Sequence, residues 1–200
     1  MNHFLLAPAA IISMIHAPDA VNICQNATSS IVTIQVLTED GVMTGSGVKL
    51  ADGTVVTNAH VVEGMVAIRV ITGKNVIDVN IHDVTVSKNK DLAKIKVSGI
   101  KGKPLKISTI LPKQGSTVFA IGCPMGFPNF ISSGIFNYLH TDGADEFAVF
   151  TAQISPGSSG GALLNAKGEL IGITTASMRG SQNLNLAVPA KDVIKFLKEK

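Results

Sequence analysis

Beyond residue 30, apolar and polar positions alternate in short runs rich in Val, Ile and Thr. A period of two sends successive side chains to opposite faces of a strand, and β-branched residues suit that pleated surface. Residues 31–38 (IVTIQVLT), 43–58 (MTGSGVKLADGTVVTN), 66–72 (VAIRVIT), 76–86 (VIDVNIHDVTV) and 92–97 (LAKIKV) therefore read as strands. Turn signals separate them at Glu39-Asp40-Gly41, Asp52-Gly53, Gly73-Lys74-Asn75 and Lys88-Asn89-Lys90. Asp52-Gly53, lying between two apolar stretches, is the strongest hairpin mark. In the last of these strands Ala93, Ile95 and Val97 alternate with Lys94 and Lys96, as a half-buried strand requires.

Residues 98–114 carry glycine, prolines and four lysines and read as a linker. A second block of short strands follows at 116–122, 130–139, 146–152, 161–176 and 183–189. From Pro189 onward the pattern becomes helical. Proline suits a first turn, Val193, Ile194 and Leu197 share one face, and lysines crowd the end that the helix dipole makes negative. Two blocks of regularly spaced short strands predict an all-β chain built as two small antiparallel barrels or one large sandwich. The expected organisation is an N-terminal segment at 1–17, a helical lead-in at 18–29, β units at 30–107 and 108–188, and a helix at 189–200.

The chain has 200 residues, 46% of them hydrophobic and 16% charged, which marks a folded and rather apolar protein. Its net charge is +3, carried by lysines scattered along strands with few aromatic residues between them. That distribution fits a solvated face and argues against nucleic acid as a partner. Cys24 and Cys123 are too few for a disulfide framework and are not spaced as a metal site, so both read as buried thiols. Phe4 to Ile15 is an apolar run of 12 residues, the size of a signal-peptide core and too short for a stable membrane span. Lys and Arg are missing ahead of it, so an exported chain and a packed N-terminal arm are both open readings.

The stretch SPGSSGGALLN, 155–165, surrounds Ser159 with three glycines. A serine hydroxyl becomes a nucleophile only beside a base, usually a histidine held in one tautomer by a carboxylate. Consecutive backbone N–H groups in a tight glycine-bearing bend supply the donors that an oxyanion needs. Taken alone, the stretch is an ordinary Gly/Ser turn. Of the five histidines, His3 and His16 lie in the N-terminal segment, His82 sits inside an alternating strand, and His140 falls in the turn HTDGADE. His60 ends the strand TVVTNAH, where a strand end presents the ring. Asp91 stands at the mouth of the strand LAKIKV, placed to be partly desolvated and to accept from an imidazole.

Chain order separates the available chemistries. Gly157-Ser158-Ser159-Gly160-Gly161 also fits the G-x-S-x-G pattern of α/β-hydrolases, but those need a histidine after the serine on an alternating α/β scaffold. No histidine follows Ser159. His82 and Asp83, as strand neighbours, point to opposite faces and cannot pair on a metal. The order His60, Asp91, Ser159 on an all-β chain is that of chymotrypsin-type proteases.

The segments GSGVKLADGTVVTNAHVVEG (45–64), DLAKIKV (91–97), VFAIGCPMGFPNFISSGIF (118–136), TAQISPGSSGGALLNAKGELIGITTA (151–176) and NLNLAVP (183–189) resemble the HtrA/Deg branch of the trypsin-like serine proteases. The likeness runs in order from about residue 30 to 190. It implies two six-stranded antiparallel Greek-key barrels of the chymotrypsin-like type with a C-terminal helix. It further implies His60 as general base, Asp91 as its orienter, Ser159 as nucleophile, and backbone N–H groups of Gly157, Ser158 and Ser159 around the oxyanion. No cofactor and no metal enter that chemistry. The implied partners are polypeptide substrates, and self-association into a homo-oligomer is compatible with the resemblance.

Some positions depart from the family pattern. Ser158 precedes the nucleophile where this branch usually has Asn and the digestive enzymes have Asp. Ala162 stands where a proline usually follows the two glycines. Without an acid at 158, activation by a newly formed N-terminal amine has no counterpart. The resemblance covers a protease domain without a PDZ domain. It also implies a specificity pocket framed by 153–157 and by Thr175, Ala176 and Ser177, with its floor near Gln153. Gln153 and Ile154 carry no charge, so a small or medium apolar residue is expected before the scissile bond, and cleavage after Lys or Arg is not. The same frame without catalysis would serve as a peptide-binding module, and an esterase could use the same three side chains.

Overall fold

The structure is a computed structural model that describes residues 19–50, 53–178, 180 and 182–199. The expected signal-like segment and Asp52 of the expected hairpin lie outside the described residues. A short helix α1 (Ala20–Thr28) leads in, with the Asp19 carboxylate accepting from the Val21 and Asn22 N–H groups at its first turn. Strands β1 (Ile31–Thr38), β2 (Gly41–Lys49) and β3 (Thr54–Thr57) follow, then a one-turn helix α2 (Ala59–Val62). Next come β4 (Ala67–Thr72), β5 (Asn75–Val79), β6 (Val84–Val86) and β7 (Ala93–Lys96). These seven strands form one antiparallel sheet in the order β5-β4-β1-β2-β3-β7-β6.

This first unit is a half-barrel of seven strands where the sequence suggests a closed barrel of six. The extra strand has a local cause. The expected strand 76–86 is interrupted at Asn80, whose side-chain oxygen accepts from the His82 N–H at 3.0 Å. That Asx-type bond winds Ile81–Asp83 into a single 3-10 turn and splits the stretch into β5 and β6. His82 is therefore an exposed turn residue, outside any strand.

The second unit closes fully. Strands β8 (Thr117–Gly122), β9 (Phe130–Asp142), β10 (Asp145–Phe150), β11 (Ala162–Asn165), β12 (Leu170–Ser177) and β13 (Asn185–Pro189) make a barrel in the order β10-β13-β12-β11-β8-β9. His140, expected in a turn, lies instead within β9 and meets the Tyr138 ring edge-on at 6.3 Å between centroids. The combination of half-barrel, closed barrel and C-terminal helix is the chymotrypsin-like fold.

Alternation decides which core each residue joins. On β11, Leu163 points into the barrel with Phe136, Phe150 and Ile171, while Ala162 and Leu164 point the other way. On β1, Val32, Ile34 and Val36 fill the half-barrel with Val70 and Ile95. A third cluster forms the seam between the units, where Val48, Val56 and Leu92 from the first meet Ile121, Leu164 and Ile173 from the second. Cys123 is buried in this seam and Cys24 is half-buried against it, both as free thiols.

The C-terminal helix α3 (Ala190–Lys198) lies across the same seam and buries Val193 and Phe196. Lys94 of β7 reaches over it, with Nζ 5.0 Å from the Phe196 ring centroid and 2.6 Å from the Glu199 carbonyl oxygen. A cation is well placed at this helix end, where free carbonyls concentrate negative charge. Phe196→Ala removes a side chain that is 2% exposed and is expected to cost about 3–5 kcal/mol of stability, measured as a lowered denaturant midpoint.

Candidate active site

Asn58, at the start of α2, is fully buried and donates from Nδ2 to the Asp91 carbonyl oxygen at 2.9 Å. This contact fixes the chain just before β7 against the start of α2. The Asp91 carboxylate then accepts from the His60 N–H at 3.1 Å through Oδ1 and meets His60 Nδ1 at 2.9 Å through Oδ2. Thr175 on β12 donates its hydroxyl to the same Oδ2. An imidazole whose Nδ1 gives its proton to a carboxylate leaves Nε2 as the free acceptor. The His60 side chain is 46% exposed and that of Asp91 29%, so solvent or substrate reaches the ring while the acid stays partly shielded.

The electrostatics follow from these contacts. The hydrogen bond to Asp91 raises the His60 pKa above its ordinary value against the opposing effect of burial, and the charges of Asp91 and Glu63 add to the rise. Burial pushes the Asp91 carboxyl upward. The hydrogen bonds from the His60 ring, Thr175 and the His60 N–H together outweigh it, so the carboxyl sits below its ordinary value. Both shifts favour the pair in which His60 can hold a proton beside an ionised acid.

Ser159 lies in the loop between β10 and β11, and its hydroxyl donates to the Thr175 carbonyl oxygen at 3.1 Å. Among the described residues no hydrogen bond joins this hydroxyl to the His60 ring. Thr175 thus touches both halves of the site, giving its hydroxyl to Asp91 and its carbonyl to Ser159.

The carbonyls of residues 156–159 are all engaged. Pro156 O accepts from Met125 N at 2.9 Å, and Gly157 O accepts from Ser46 Oγ at 2.7 Å. Ser158 O accepts from Thr174 Oγ1 at 2.7 Å and from Gly161 N at 2.9 Å, while Ser159 O accepts from Ser46 N at 2.8 Å. A trans peptide plane has its C=O and N–H on opposite sides, so pinning the Pro156 carbonyl toward Met125 turns the Gly157 N–H away from it. The loop needs glycine at two of these positions. A Cβ on Gly157 (φ +93) would lie 2.8 Å from Met125 N, and one on Gly160 (φ +86) 2.1 Å from Ser46 O.

Among the described residues neither the Gly157 N–H nor the Ser159 N–H has a hydrogen-bond acceptor, so both are free to receive a ligand. Ser158 corrects the sequence expectation. Its N–H closes a turn onto Ser155 O at 2.8 Å, and its hydroxyl accepts from Ser155 N at 3.2 Å. The residue is buried and bonded internally, so it supplies no oxyanion donor.

Around the expected pocket the segments fall on either side of Ser159. Ile154 is half-buried against the barrel core, and Ala176 and Ser177 are exposed at the end of β12. Gln153, expected at a floor, is exposed, with its carbonyl accepting from Ser132 Oγ at 2.6 Å.

Periodicity gives no hint of Ser46. Every polar atom of this fully buried residue is bonded: N to Ser159 O, Oγ to Gly157 O and from Cys123 N, and O from Thr57 Oγ1. The signal available was its setting between Gly45 and Gly47, since glycines inside a strand mark a close approach of another backbone.

The half-barrel, the closed barrel and, at their seam, the His60–Asp91 pair with Ser159 bonded to Thr175 define a peptidase-like domain of the chymotrypsin type. The trypsin-like peptidase domain model matches residues 45–173, and the chain belongs to that family. Relatives within it include proteins named as DegP-like and HtrA serine proteases. The Synechocystis sp. protein named as serine protease HhoB is 35% identical over 156 residues, covering 73% of this chain and 37% of its own length. A DegP-like periplasmic serine endoprotease of Buchnera aphidicola is 38% identical over 166 residues, covering 72% of this chain and 34% of its own. The chain therefore spans about a third of the length of these curated relatives. Among solved structures, the HtrA-type protease AlgW with tripeptide superposes with a TM-score of 0.82 at 26% identity, covering 90% of this chain and 63% of that one.

Ser46→Ala deletes the donor to Gly157 O and the acceptor for Cys123 N in a buried seam. Unfolding by denaturant is expected to show a loss of about 1–3 kcal/mol, the cost of leaving buried polar groups unpaired.

Proposed function

We propose that this domain is a serine endopeptidase that hydrolyses extended or unfolded polypeptides through an acyl-enzyme. The observation that carries this reading is Thr175. One residue accepts from the Ser159 hydroxyl and donates to the carboxylate that holds the His60 ring. Thr175 thereby links the Ser159 loop to the His60–Asp91 pair, which supports their acting together.

In the proposed cycle the Ser159 hydroxyl turns about its Cα–Cβ bond from Thr175 O to Nε2 of His60. His60 takes the proton as Oγ bonds to the peptide carbonyl carbon. The carbonyl oxygen becomes an oxyanion and accepts from the Gly157 and Ser159 N–H groups, each worth about 3–4 kcal/mol in the transition state. His60 then gives its proton to the departing amine, and the C–N bond breaks. Water enters by the same route, with His60 as base, and releases the acid product and Ser159. Asp91 holds the tautomer and stabilises the imidazolium throughout. The exposed end of β12 offers its backbone to an extended substrate, giving affinity that depends little on sequence.

The engaged carbonyls of residues 156–159 support donors that are already directed before substrate arrives. The internal bonding of Ser158 supports a loop ordered without an N-terminal amine. The periplasmic description of the Buchnera relative supports export as the setting in which the domain works.

A fluorophosphonate probe is expected to label the protein without any activator and to fail with Ser159→Ala. Absence of labelling in every condition would turn the reading toward a peptide-binding module. A peptide amide compared with an ester separates endopeptidase from esterase activity.

The acid limb of kcat/KM is set by His60, which acts as base only when neutral. Because its pKa is raised, activity is expected to fall with a midpoint above pH 6.5. Asp91→Asn removes the principal cause of that rise. It is expected to move the midpoint to lower pH and to reduce kcat by roughly 10⁴-fold, read from a pH–rate profile of both proteins.

A further inference from the structure

The loop 87–92 between β6 and β7 carries Asp91 and folds tightly about it. The Leu92 N–H closes onto the Lys90 carbonyl oxygen at 2.7 Å, and the Ser87 N–H onto the Leu92 carbonyl oxygen at 2.9 Å. Asp91 and His60 are joined within the first unit, through Asn58 Nδ2, the His60 N–H and the His60 ring. Those bonds leave open where the pair stands relative to Ser159.

The Ser159 side is tied within the closed barrel. Asn185 Nδ2 donates to the Ala152 carbonyl oxygen at 2.8 Å, and Ser177 Oγ donates to Asn185 Oδ1 at 2.8 Å, joining the chain before Ser159 to the end of β12. Two neighbouring residues carry the Asp91 loop onto this barrel. Asp91 accepts from the Thr175 hydroxyl on β12. Lys90 Nζ donates to Asp145 Oδ1 at 2.7 Å and to the Ala144 carbonyl oxygen at 3.0 Å, at the turn from β9 to β10. A single hydrogen bond acts as a pivot, because it tolerates a range of angles. A second anchor, on an adjacent residue and a different strand, removes that rotation. The bond to Asp145 holds the Lys90 pKa above its ordinary value against burial, and the charges of Asp192 on α3 and of Asp145 and Glu146 on β10 add to the rise.

We propose that Lys90 is a positioning residue of this site: by bridging from the residue before Asp91 to the β9–β10 turn, it sets the His60–Asp91 pair, as one body, within reach of Ser159. This rests on the protease reading above. The His60 ring answers to Asp91, Glu63 and burial, and Asp91 to burial, His60 and Thr175, so the Lys90 charge tunes neither. Lys90→Met keeps the stem and removes the donor. It is expected to lower kcat and kcat/KM together by about tenfold or more, because small displacements of reacting groups are that costly. KM and the acid-limb midpoint are expected to stay at their wild-type values. Lys90→Arg keeps charge and reach and is expected to restore most of the rate. Asp145→Lys repels the ammonium from the other side and is expected to lower kcat in the same way.

Rates are expressed per site labelled to completion by a fluorophosphonate. A general structural lesion then lowers the number of sites and leaves the rate per site alone. A wild-type rate per site in Lys90→Met, a shifted midpoint, or an arginine variant as slow as the methionine one would overturn the assignment. So would an unchanged rate in Asp145→Lys, even if Lys90→Met does not fold. Wild-type protein that neither reacts with a fluorophosphonate nor cleaves any peptide would instead refute the protease reading from which the assignment starts.

Discussion

The loop that carries Ser159 is shaped by its carbonyl groups. Those of Pro156, Gly157, Ser158 and Ser159 are each taken by a donor from elsewhere: Met125, Ser46, Thr174, and Ser46 again. Once a planar peptide has its oxygen pinned, the direction of its N–H is set without further cost. The free N–H groups of Gly157 and Ser159 are therefore consequences of where the rest of the loop is tied. Prepaid orientation of this kind is what makes backbone dipoles effective toward a developing charge.

Both structural units take part in that arrangement. The half-barrel contributes Asn58, His60 and Asp91 at one rim, and the closed barrel contributes Ser159 and Thr175 at the other. Between them, the apolar seam of Val48, Val56, Leu92, Ile121, Leu164 and Ile173 keeps the rims in register. Polar contacts cross at its edge. Ser46 reaches the Ser159 loop, Thr175 reaches Asp91, and Lys90, adjacent to Asp91, donates to Asp145 Oδ1 at 2.7 Å and to Ala144 O at 3.0 Å. Apolar burial supplies the association, and the directional bonds select one relative position from those it would allow.

Polarity at the site is graded. Asn58 is fully buried, Asp91 is partly shielded, and the His60 ring is open on one side. Burial pushes the Asp91 carboxyl up, three hydrogen bonds that converge on it bring it below its ordinary value, and the bond it makes to the His60 ring raises the basicity of that ring. The opening at Nε2 is where proton transfer to and from a reacting group would occur, so exposure there is a requirement of the chemistry and not a packing defect.

By itself, the sequence determined what local physics can determine. Val, Ile and Thr content between turn signals placed β1 at residues 31–38 and marked the other strands, because β-branched side chains suit the pleated surface whatever it packs against. The glycines around Ser159 announced a tight bend, and the order of His60, Asp91 and Ser159 excluded rival hydrolase scaffolds. Asn80 broke a predicted strand because a short side-chain bond competes with the ladder. That competition is invisible to hydropathy. Tertiary structure alone decided the rest: that Ser46 binds a loop 111 residues away, that the Ser158 N–H is already spent, that Gln153 is exposed, and that Asn185 spans the nucleophile's two flanks. Each of these depends on which backbone groups meet across the seam or around the barrel. A hydrogen bond between distant residues leaves no periodic trace in the chain that makes it.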